Sequence, residues 1–218
     1  MNLSSKAGFL ICASFLAPLA AQTEPGALAD KPQPPAPSRS RQFNAIDRAD
    51  WRPLTGRERW TIYWKTTYAS PATLFRAAGP ALGDHLDHRP DTWPQGAEGY
   101  ARRFANRFAR FSLQESMSHS ASAALGYDVR YVRCGCQGFF PRFGHAMLWN
   151  FLTLNQNGRT VLNTPRIGSA FAAEFIANSW MPQGYRTNSE AVRGVGVQLG
   201  VGALFNTIRE FAPRRKTR

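Results

Sequence analysis

The sequence predicts an all-α protein, a compact bundle of about five to seven helices. Apolar residues recur at helical spacing through most of the chain, helix-capping motifs open several of these segments, and residues 194–208 carry no charged side chain. A helix that is apolar on nearly every side must be covered by protein or lipid, so this glycine-rich segment is expected near the centre of the bundle. The composition, 43% hydrophobic and 19% charged over 218 residues, is typical of one globular domain and argues against a fibrous or disordered chain.

Residues 1–21 have the features of a cleavable secretory signal peptide. Lys6 precedes an apolar run over residues 7–16, Pro18 interrupts that run, and small residues follow at positions 20 and 21. The run is well short of the ~20 residues that a membrane span requires, which favours a cleaved signal over a retained anchor. The protein is therefore predicted to reach the periplasm or the cell envelope.

Residues 22–50 are predicted to form a disordered linker, because they combine many prolines with few large apolar residues and cannot bury enough surface to fold. The prolines are Pro25, Pro32, Pro34, Pro35 and Pro37. The helical domain is expected at residues 51–213, followed by a basic tail at residues 214–218.

The chain is strongly basic. Its net charge is +13, and removal of the signal peptide takes away Lys6 and leaves +12. Nearly all of the basic residues are arginines, whose guanidinium groups suit bidentate binding of phosphate or carboxylate. In an exported protein this charge indicates anionic lipid or an acidic envelope polymer as the partner, and it does not indicate nucleic acid. A solvated arginine-rich surface without a partner is the alternative.

The first two helices are predicted from their caps. The first opens with the capping box Thr55-Gly56-Arg57-Glu58, and the aromatic residues Trp60, Tyr63 and Trp64 follow on one helical face. The second opens at Ser70-Pro71, an N-cap followed by proline in the first turn.

The longest helix is predicted over residues 99–125, ending at Gly126. Its aromatic residues line one face, and three arginines line another: Arg103, Arg107 and Arg110. A basic stripe beside an aromatic face is typical of a surface that meets anionic head groups, so these arginines are predicted to bind a membrane or another polyanion. The alternative is a solvated helix face.

Four more segments follow towards the C-terminus. Residues 127–138 could form a short strand or an irregular loop, and residues 141–154 are predicted to be helical. A helix is also expected from Thr164-Pro165 to Trp180. The last helix opens with a capping box at residues 187–190 and runs to about position 211.

Gly196 and Gly200 lie four residues apart in the last predicted helix and are predicted to let a neighbouring helix pack closely. Each such glycine costs about 1 kcal/mol of helix stability relative to alanine, so tight packing must compensate. The alternation of glycine and valine over residues 194–202 would also fit a strand. The N-terminal cap and the helical spacing of Leu204 and Ile208 favour a helix.

Three short motifs carry a resemblance to a known family: Gly99-Tyr100-Ala101-Arg102-Arg103-Phe104, Tyr127-Asp128-Val129-Arg130-Tyr131, and the segment from Asn206 to Pro213. With the predicted element order, they resemble a family of exported bacterial helical envelope proteins that has no assigned function. The resemblance covers about residues 60–213. It implies an envelope location and a helical fold, and it supplies no catalytic residues.

The sharpest polar cluster could bind a metal ion. If the second helix persists through position 88, His85 and His88 share a face that Asp84 and Asp87 border, which would offer nitrogen and carboxylate ligands to zinc or a similar ion. A polar helix end running into a loop has the same sequence pattern. No other feature of the sequence calls for a cofactor, and none is predicted.

A second polar set lies within predicted helices. Glu115 and His119 are four residues apart, as are Glu174 and Asn178, so the two pairs could face each other as an acid, base and ligand set. A polar network between helices, or exposed side chains, is the alternative. A serine nucleophile motif and a phosphate-binding glycine loop are both missing from the sequence.

Cys134 and Cys136 are the cysteines that remain once the signal peptide, with Cys12, has been removed. An oxidising compartment would favour a disulfide between them, although a Cys-x-Cys loop is tight. A redox-active disulfide, an intermolecular bridge and a pair of metal ligands compete with an incidental disulfide in a surface loop, which is preferred.

These features predict an exported, non-enzymatic envelope protein that sits against a membrane or serves as a scaffold for a protein partner. The rival prediction is a metal-dependent hydrolase that uses His85 and His88. A third is a binding module whose aromatic face, around Trp60 and Trp64, takes a lipid or a glycan.

Overall fold

The computed structural model describes residues 45–212, which form six α-helices and two small sheets. The helices are α1 (Gly56–Thr67), α2 (Pro71–Leu86), α3 (Gly96–Leu125), α4 (Phe139–Leu148), α5 (Thr164–Ala177) and α6 (Asn188–Phe211). The strands are β1 (Ala45–Ile46), β2 (Tyr131–Val132), β3 (Leu152–Leu154) and β4 (Thr160–Leu162). The all-α class and the predicted number of helices are confirmed. The predicted signal peptide, most of the linker and the basic tail lie outside the described residues.

The predicted caps explain where the helices begin and end. Thr55 and Glu58 form a reciprocal capping box at the start of α1, and the Ser70 hydroxyl accepts a hydrogen bond from the Ala72 amide at the start of α2. Gly126 ends α3 in the left-handed conformation, with φ of 69°, which glycine adopts without a steric penalty. The cap of α5 is Asn163, one residue before the predicted position.

Helix α3 lies at the centre of the bundle, where it packs against α1, α2 and α5. The glycine-rich helix α6 packs mainly against α5 and α4, so its predicted central position is wrong. The inward face of α6 carries small and polar residues, including Gly194, Asn206 and Glu210. Its exposed stripe is apolar: Val192, Gly196, Gly200, Leu204, Ile208 and Phe211. A segment without charges does not reveal which of its faces will be covered.

The folded domain begins at strand β1, within the segment that was predicted to be a linker. Ala45 and Ile46 pair in parallel with Tyr131 and Val132 of β2, and Ala45 is buried against Tyr131 and Ala146. Residues 45–50 are therefore part of the domain, and the boundary predicted after position 50 is wrong. A pair of residues is too short to show a strand pattern, and its stability depends on a partner far along the chain.

Only the first part of the helix predicted over residues 141–154 is helical, and the last part is a strand. Helix α4 ends at Leu148, and residues 152–154 form β3, which pairs antiparallel with β4 through a turn at Asn155 and Gly158. The side-chain amide of Asn150 donates to the Leu199 carbonyl of α6 at 3.0 Å, which anchors the chain where the helix stops. Residues 127–138, left open between strand and loop, contain the short strand β2.

Candidate functional site

The predicted arginine stripe faces the interior of the bundle. Arg103 is fully buried, and its guanidinium donates to the carbonyl oxygens of Arg89, Pro90 and Pro94 at 2.8, 3.0 and 2.9 Å. Arg107 binds both carboxylate oxygens of Asp84. These contacts tie α3 to α2 and to the loop that follows it.

Arg110, the third arginine of the stripe, pairs with the buried carboxylate of Glu174 on α5. The prediction that Arg103, Arg107 and Arg110 form an anion-binding surface is therefore wrong. Helical spacing showed that the three share a face, but it does not say which face is buried. The face with the arginines is buried because α3 lies at the centre of the bundle. The guanidinium groups then lie between helices, where they are paired.

The predicted metal site is also wrong. Helix α2 ends at Leu86, His88 adopts a positive φ of 54° and is exposed, and Asp84 is bound by Arg107 instead. His85 Nδ1 lies 3.5 Å from a guanidinium nitrogen of Arg103, and Asp87 lies 3.6 Å from Arg193. Within residues 45–212, no three His, Cys, Asp or Glu side chains are arranged to hold a metal ion. The hydrolase prediction loses its proposed ligand set.

The two polar pairs predicted within helices are only partly brought together. Glu115 and Glu174 both line a pocket at the centre of the bundle. His119 lies 3.5 Å from Glu115 and packs against the ring of Tyr63, while Asn178 donates to the backbone of Thr187 outside the pocket. The carboxylates are bound by arginines, so the arrangement is a charged network.

We call this central cavity the arginine pocket. Its charged and polar lining consists of Arg76, Arg107, Arg110, Gln114, Glu115, Arg166, Glu174 and Gln198. Glu174 accepts from Arg110 and from the Gln198 amide, the latter at 2.5 Å. Arg76 lies 3.5 Å from Glu115. Among the described residues, Arg166 has no ion pair or side-chain hydrogen bond, and its Nε is buried without a partner.

Positive charge exceeds negative charge around Glu115. Burial alone would raise the pKa of this carboxyl, but the hydrogen bond from His119 and the charges of Arg76 and Arg166 outweigh burial and lower the pKa to about 2. Burial and the like charges of Arg76 and Arg166 lower the pKa of Arg209 to about 9, so this guanidinium is still charged at neutral pH. Arg76 and Arg166 thus share the negative charge of Glu115, and Arg209 adds a further positive charge that interacts with theirs.

An open apolar groove of about 660 Å³ runs between α2 and α6. It is lined by Pro71, Ala72, Phe75, Gly79, Pro80, Val201, Leu204, Phe205 and Ile208, none of which is charged. Pro80 and Val201 also line the arginine pocket, so the groove and the pocket adjoin. Arg76 lies at this junction, with its guanidinium carbon 4.5 Å from the ring centre of Phe205 and 5.3 Å from that of Phe111.

Large apolar side chains are exposed on a surface that includes part of the groove wall, the α4–α6 apolar face. It comprises Phe139, Phe140, Phe143, Leu204, Ile208 and Phe211, of which Leu204 and Ile208 also line the groove. The rings of Phe139 and Phe211 stack at 5.3 Å and join the two helices, and Phe140 is 81% exposed. A contiguous exposed apolar surface of this kind marks an interaction site in a folded protein.

A separate aromatic cluster covers α1 and part of α3. Trp60, Tyr63, Trp64 and Tyr68 lie in a chain of ring contacts of 5.0–6.4 Å, and Trp60 is 64% exposed. The predicted aromatic face of α1 is therefore present. Tyr68 joins this strip of rings to Phe108 of α3 by a ring contact.

Cys134 and Cys136 are joined by a disulfide next to a buried glutamate. Glu210 of α6 accepts hydrogen bonds from the Tyr131 hydroxyl at 2.9 Å, the Cys134 amide at 3.0 Å and Arg142 Nε at 3.0 Å. These contacts attach the cysteine loop and α4 to the end of α6, which is a structural role.

Gly196 and Gly200 are exposed, and a Cβ built at either would meet no atom within 4 Å. The prediction that they allow close packing within this chain is wrong. The glycines that do so are Gly194, where a Cβ would lie 2.0 Å from the Glu174 carboxylate, and Gly202, where it would lie 2.3 Å from Arg166. Gly196 and Gly200 are four residues apart and Gly194 and Gly202 are eight apart, so both pairs fit a helical repeat and only the orientation of α6 separates them.

The sequence-based predictions do not single out Arg76 and Arg166, which line the arginine pocket. A signal for Arg76 exists, because Thr73, Ala77 and Ala81 mark the buried face of α2 and Arg76 falls beside them at helical spacing. A charged residue within a buried stripe indicates an internal polar site. Arg166 follows Pro165 in the first turn of α5 and has no comparable signal.

Comparisons of this chain with models of protein families, with curated proteins and with solved structures found no match.

Proposed function

We propose that this chain is an exported, non-enzymatic cell-envelope protein that attaches peripherally to a membrane through its α4–α6 apolar face. The observation that carries the proposal is the inverted distribution of side chains. Ion pairs such as Arg107–Asp84 and Arg110–Glu174 are buried, whereas phenylalanine and leucine side chains are exposed. Folded proteins rarely bury charged residues while they expose a group of large apolar residues. The combination is expected where an apolar environment covers the exposed surface.

The attachment energy comes from apolar burial. Complete removal of one phenylalanine or leucine side chain from water is worth about 1.5–3 kcal/mol, and shallow insertion of a few such side chains is sufficient for reversible membrane binding. No helix among residues 45–212 is long and apolar enough to cross a membrane. Shallow insertion is the mode of contact that agrees with this finding.

Charge is a secondary contribution in this proposal. The arginines of the α3 stripe are paired with carboxylates and carbonyl groups, so they are not free to bind lipid phosphates. Binding through apolar side chains persists at high salt, because salt screens charges and does not weaken the hydrophobic effect. A protein partner in the envelope would be the occupant if the vesicle experiment below gives no binding.

The experiment is cosedimentation of the purified protein with vesicles of neutral lipid, and with vesicles that contain anionic lipid, at low salt and at high salt. We expect binding to both vesicle types, with most of it retained at high salt. The variant Phe139→Ser/Phe140→Ser/Phe143→Ser should bind at least tenfold more weakly. A matched control, Trp60→Ser/Trp64→Ser, removes exposed aromatic rings from α1 and should bind as the parent does.

The location in the envelope has its own test. The proposal of export depends on the pattern of residues 1–21, and intact-mass analysis of the protein isolated from its natural host should give a chain that begins near Gln22. A mature protein that retains Met1 would contradict export, whatever the outcome with vesicles.

A further inference from the structure

The groove between α2 and α6 has the size and the lining of a ligand site. Pockets that hold small-molecule ligands occupy about 300–1,000 Å³ and are lined mainly by apolar side chains. At about 660 Å³, the groove lies in this range, and Phe75 on its rim is 71% exposed. An elongated apolar ligand would cover side chains such as Phe75 and Leu204 that now face water.

The arginine pocket, which adjoins the groove, carries unbalanced positive charge. Arg107 is paired with Asp84 and Arg110 with Glu174, so Arg76 and Arg166 share the single carboxylate of Glu115, with Arg209 beside them. Burying a charge without a partner is costly. A second anion at this position would relieve that cost.

The two features meet at Arg76. Its guanidinium lies over Phe205, which lines the groove, and over Phe111, which lines the pocket. A molecule with an anionic group on Arg76 and Arg166 would therefore direct its remaining atoms past Val201 and Pro80 into the groove. The complementary ligand is amphipathic, with one charged end and one long apolar end.

The arginine pocket is small, because the space in it that water can occupy is about 30 Å³. A carboxylate is a smaller group than a phosphate, so it is the anionic group that we favour here. Guanidinium groups bind carboxylates in a bidentate manner that matches two oxygens.

We propose that the groove and the arginine pocket together bind a long-chain fatty acid, with the acyl chain between α2 and α6 and the carboxylate on Arg76 and Arg166. This goes beyond membrane attachment, because the site takes one molecule and is tested in solution without vesicles. A result without vesicle binding would contradict the proposed membrane attachment and would not contradict the proposal of a fatty-acid site.

The ligand experiment uses isothermal titration calorimetry and thermal melts with oleate below its micelle concentration. Oleate should bind with a stoichiometry of one and raise the melting temperature. Oleyl alcohol has the same chain without the charge and should bind at least tenfold more weakly, the effect of losing a charge-assisted hydrogen bond. Acetate has the charge without the chain and should give no shift at the same concentration. Equal binding of oleate and oleyl alcohol, or a shift with acetate, would overturn the proposal.

Two glycines of α2 provide a matched test of the groove. Gly79 lines it and Gly83 does not, and a Cβ at either position meets no atom within 4 Å. Gly79→Leu should therefore fold, fill the groove and weaken oleate binding at least tenfold, whereas Gly83→Leu should bind oleate as the parent does. If both variants bind alike, the chain does not occupy the groove.

Arg166 provides the test of the charged end. Because Arg166 forms no ion pair of its own among the described residues and shares the charge of Glu115 with Arg76, Arg166→Gln should raise the melting temperature of the free protein while it abolishes most of the stabilisation by oleate. Arg102→Gln removes an exposed arginine that pairs with Glu98 and should change neither. An Arg166→Gln protein that folds and keeps the full oleate shift would overturn the assignment of the carboxylate.

Discussion

Arg107 and Asp84 form a bidentate ion pair between α3 and α2, with Nε and Nη2 of the arginine 2.6 and 2.7 Å from the two carboxylate oxygens. Both side chains are about nine-tenths buried. The pair therefore fixes the angle between the central helix and its neighbour. Because the two side chains bind each other, Asp84 does not serve as the predicted metal ligand and Arg107 does not serve as the predicted anion-binding residue.

Asp84→Asn should destabilise the fold by about 3–5 kcal/mol, because it leaves the buried Arg107 without a compensating charge. Asp87→Asn is the matched control, since the Asp87 side chain is 61% exposed and its contact with Arg193 is 3.6 Å long. That variant should change stability by no more than about 0.5 kcal/mol. Denaturant unfolding measures both, and equal effects would contradict the burial of Asp84.

Gly202→Leu and Gly200→Leu should have opposite effects. A side chain at Gly202 would collide with Arg166 and Asn150 and should cost about 1–3 kcal/mol through overpacking. Gly200 is exposed with open space around it, so leucine there should stabilise α6 by up to about 1 kcal/mol through its higher helix propensity. Thermal melts that rank the two variants in the reverse order would show that α6 is oriented differently.

Glu115 should make stability depend on acid pH. Its pKa falls from 4.5 in the unfolded chain to about 2 in the folded protein, so the carboxylate contributes about 3 kcal/mol above pH 4.5. Because the folded pKa is the lower one, this contribution is lost as the pH falls from about 4.5 to 2. The difference in free energy of unfolding between the parent and Glu115→Gln should shrink over that range. For the exposed control Glu98→Gln, the difference in free energy of unfolding from the parent should stay small and constant over the same pH range.

Tyr131→Phe should cost about 1.5–3 kcal/mol, the value of a hydrogen bond to a charged group, because the hydroxyl donates to the buried carboxylate of Glu210. Tyr185→Phe loses one exposed contact with the Asp91 amide and should cost less than 1 kcal/mol.

Burial and the contact with Glu210 also raise the pKa of Tyr131 above 10. The unfolded chain then releases this proton first, so parental stability should fall above pH 10, more steeply than in Tyr131→Phe. Urea unfolding at pH 9–11 compares the two slopes, and parallel slopes would contradict the burial of the hydroxyl.

Local chemistry in the sequence was sufficient to predict most helices. The Thr55–Glu58 capping box, the proline after Ser70 and the left-handed Gly126 act within one turn of the chain, so their effects can be predicted without knowledge of the neighbours. The short strands could not be predicted this way. Ala45 forms part of a strand because Tyr131, far away in sequence, lies beside it in the sheet.

The candidate site depended on tertiary structure almost entirely. Periodicity places Arg103, Arg107 and Arg110 on one face of α3, but only the packing of α2 and α5 against that face turns a predicted membrane surface into a set of buried contacts. In the same way, the orientation of α6 decides that Gly202 packs and Gly200 does not. The sequence alone determined most of the helices and several of their caps, because those depend on neighbours along the chain. Which faces are buried, and where charge is left unbalanced beside an apolar groove, depends on contacts between distant segments and was decided by the fold.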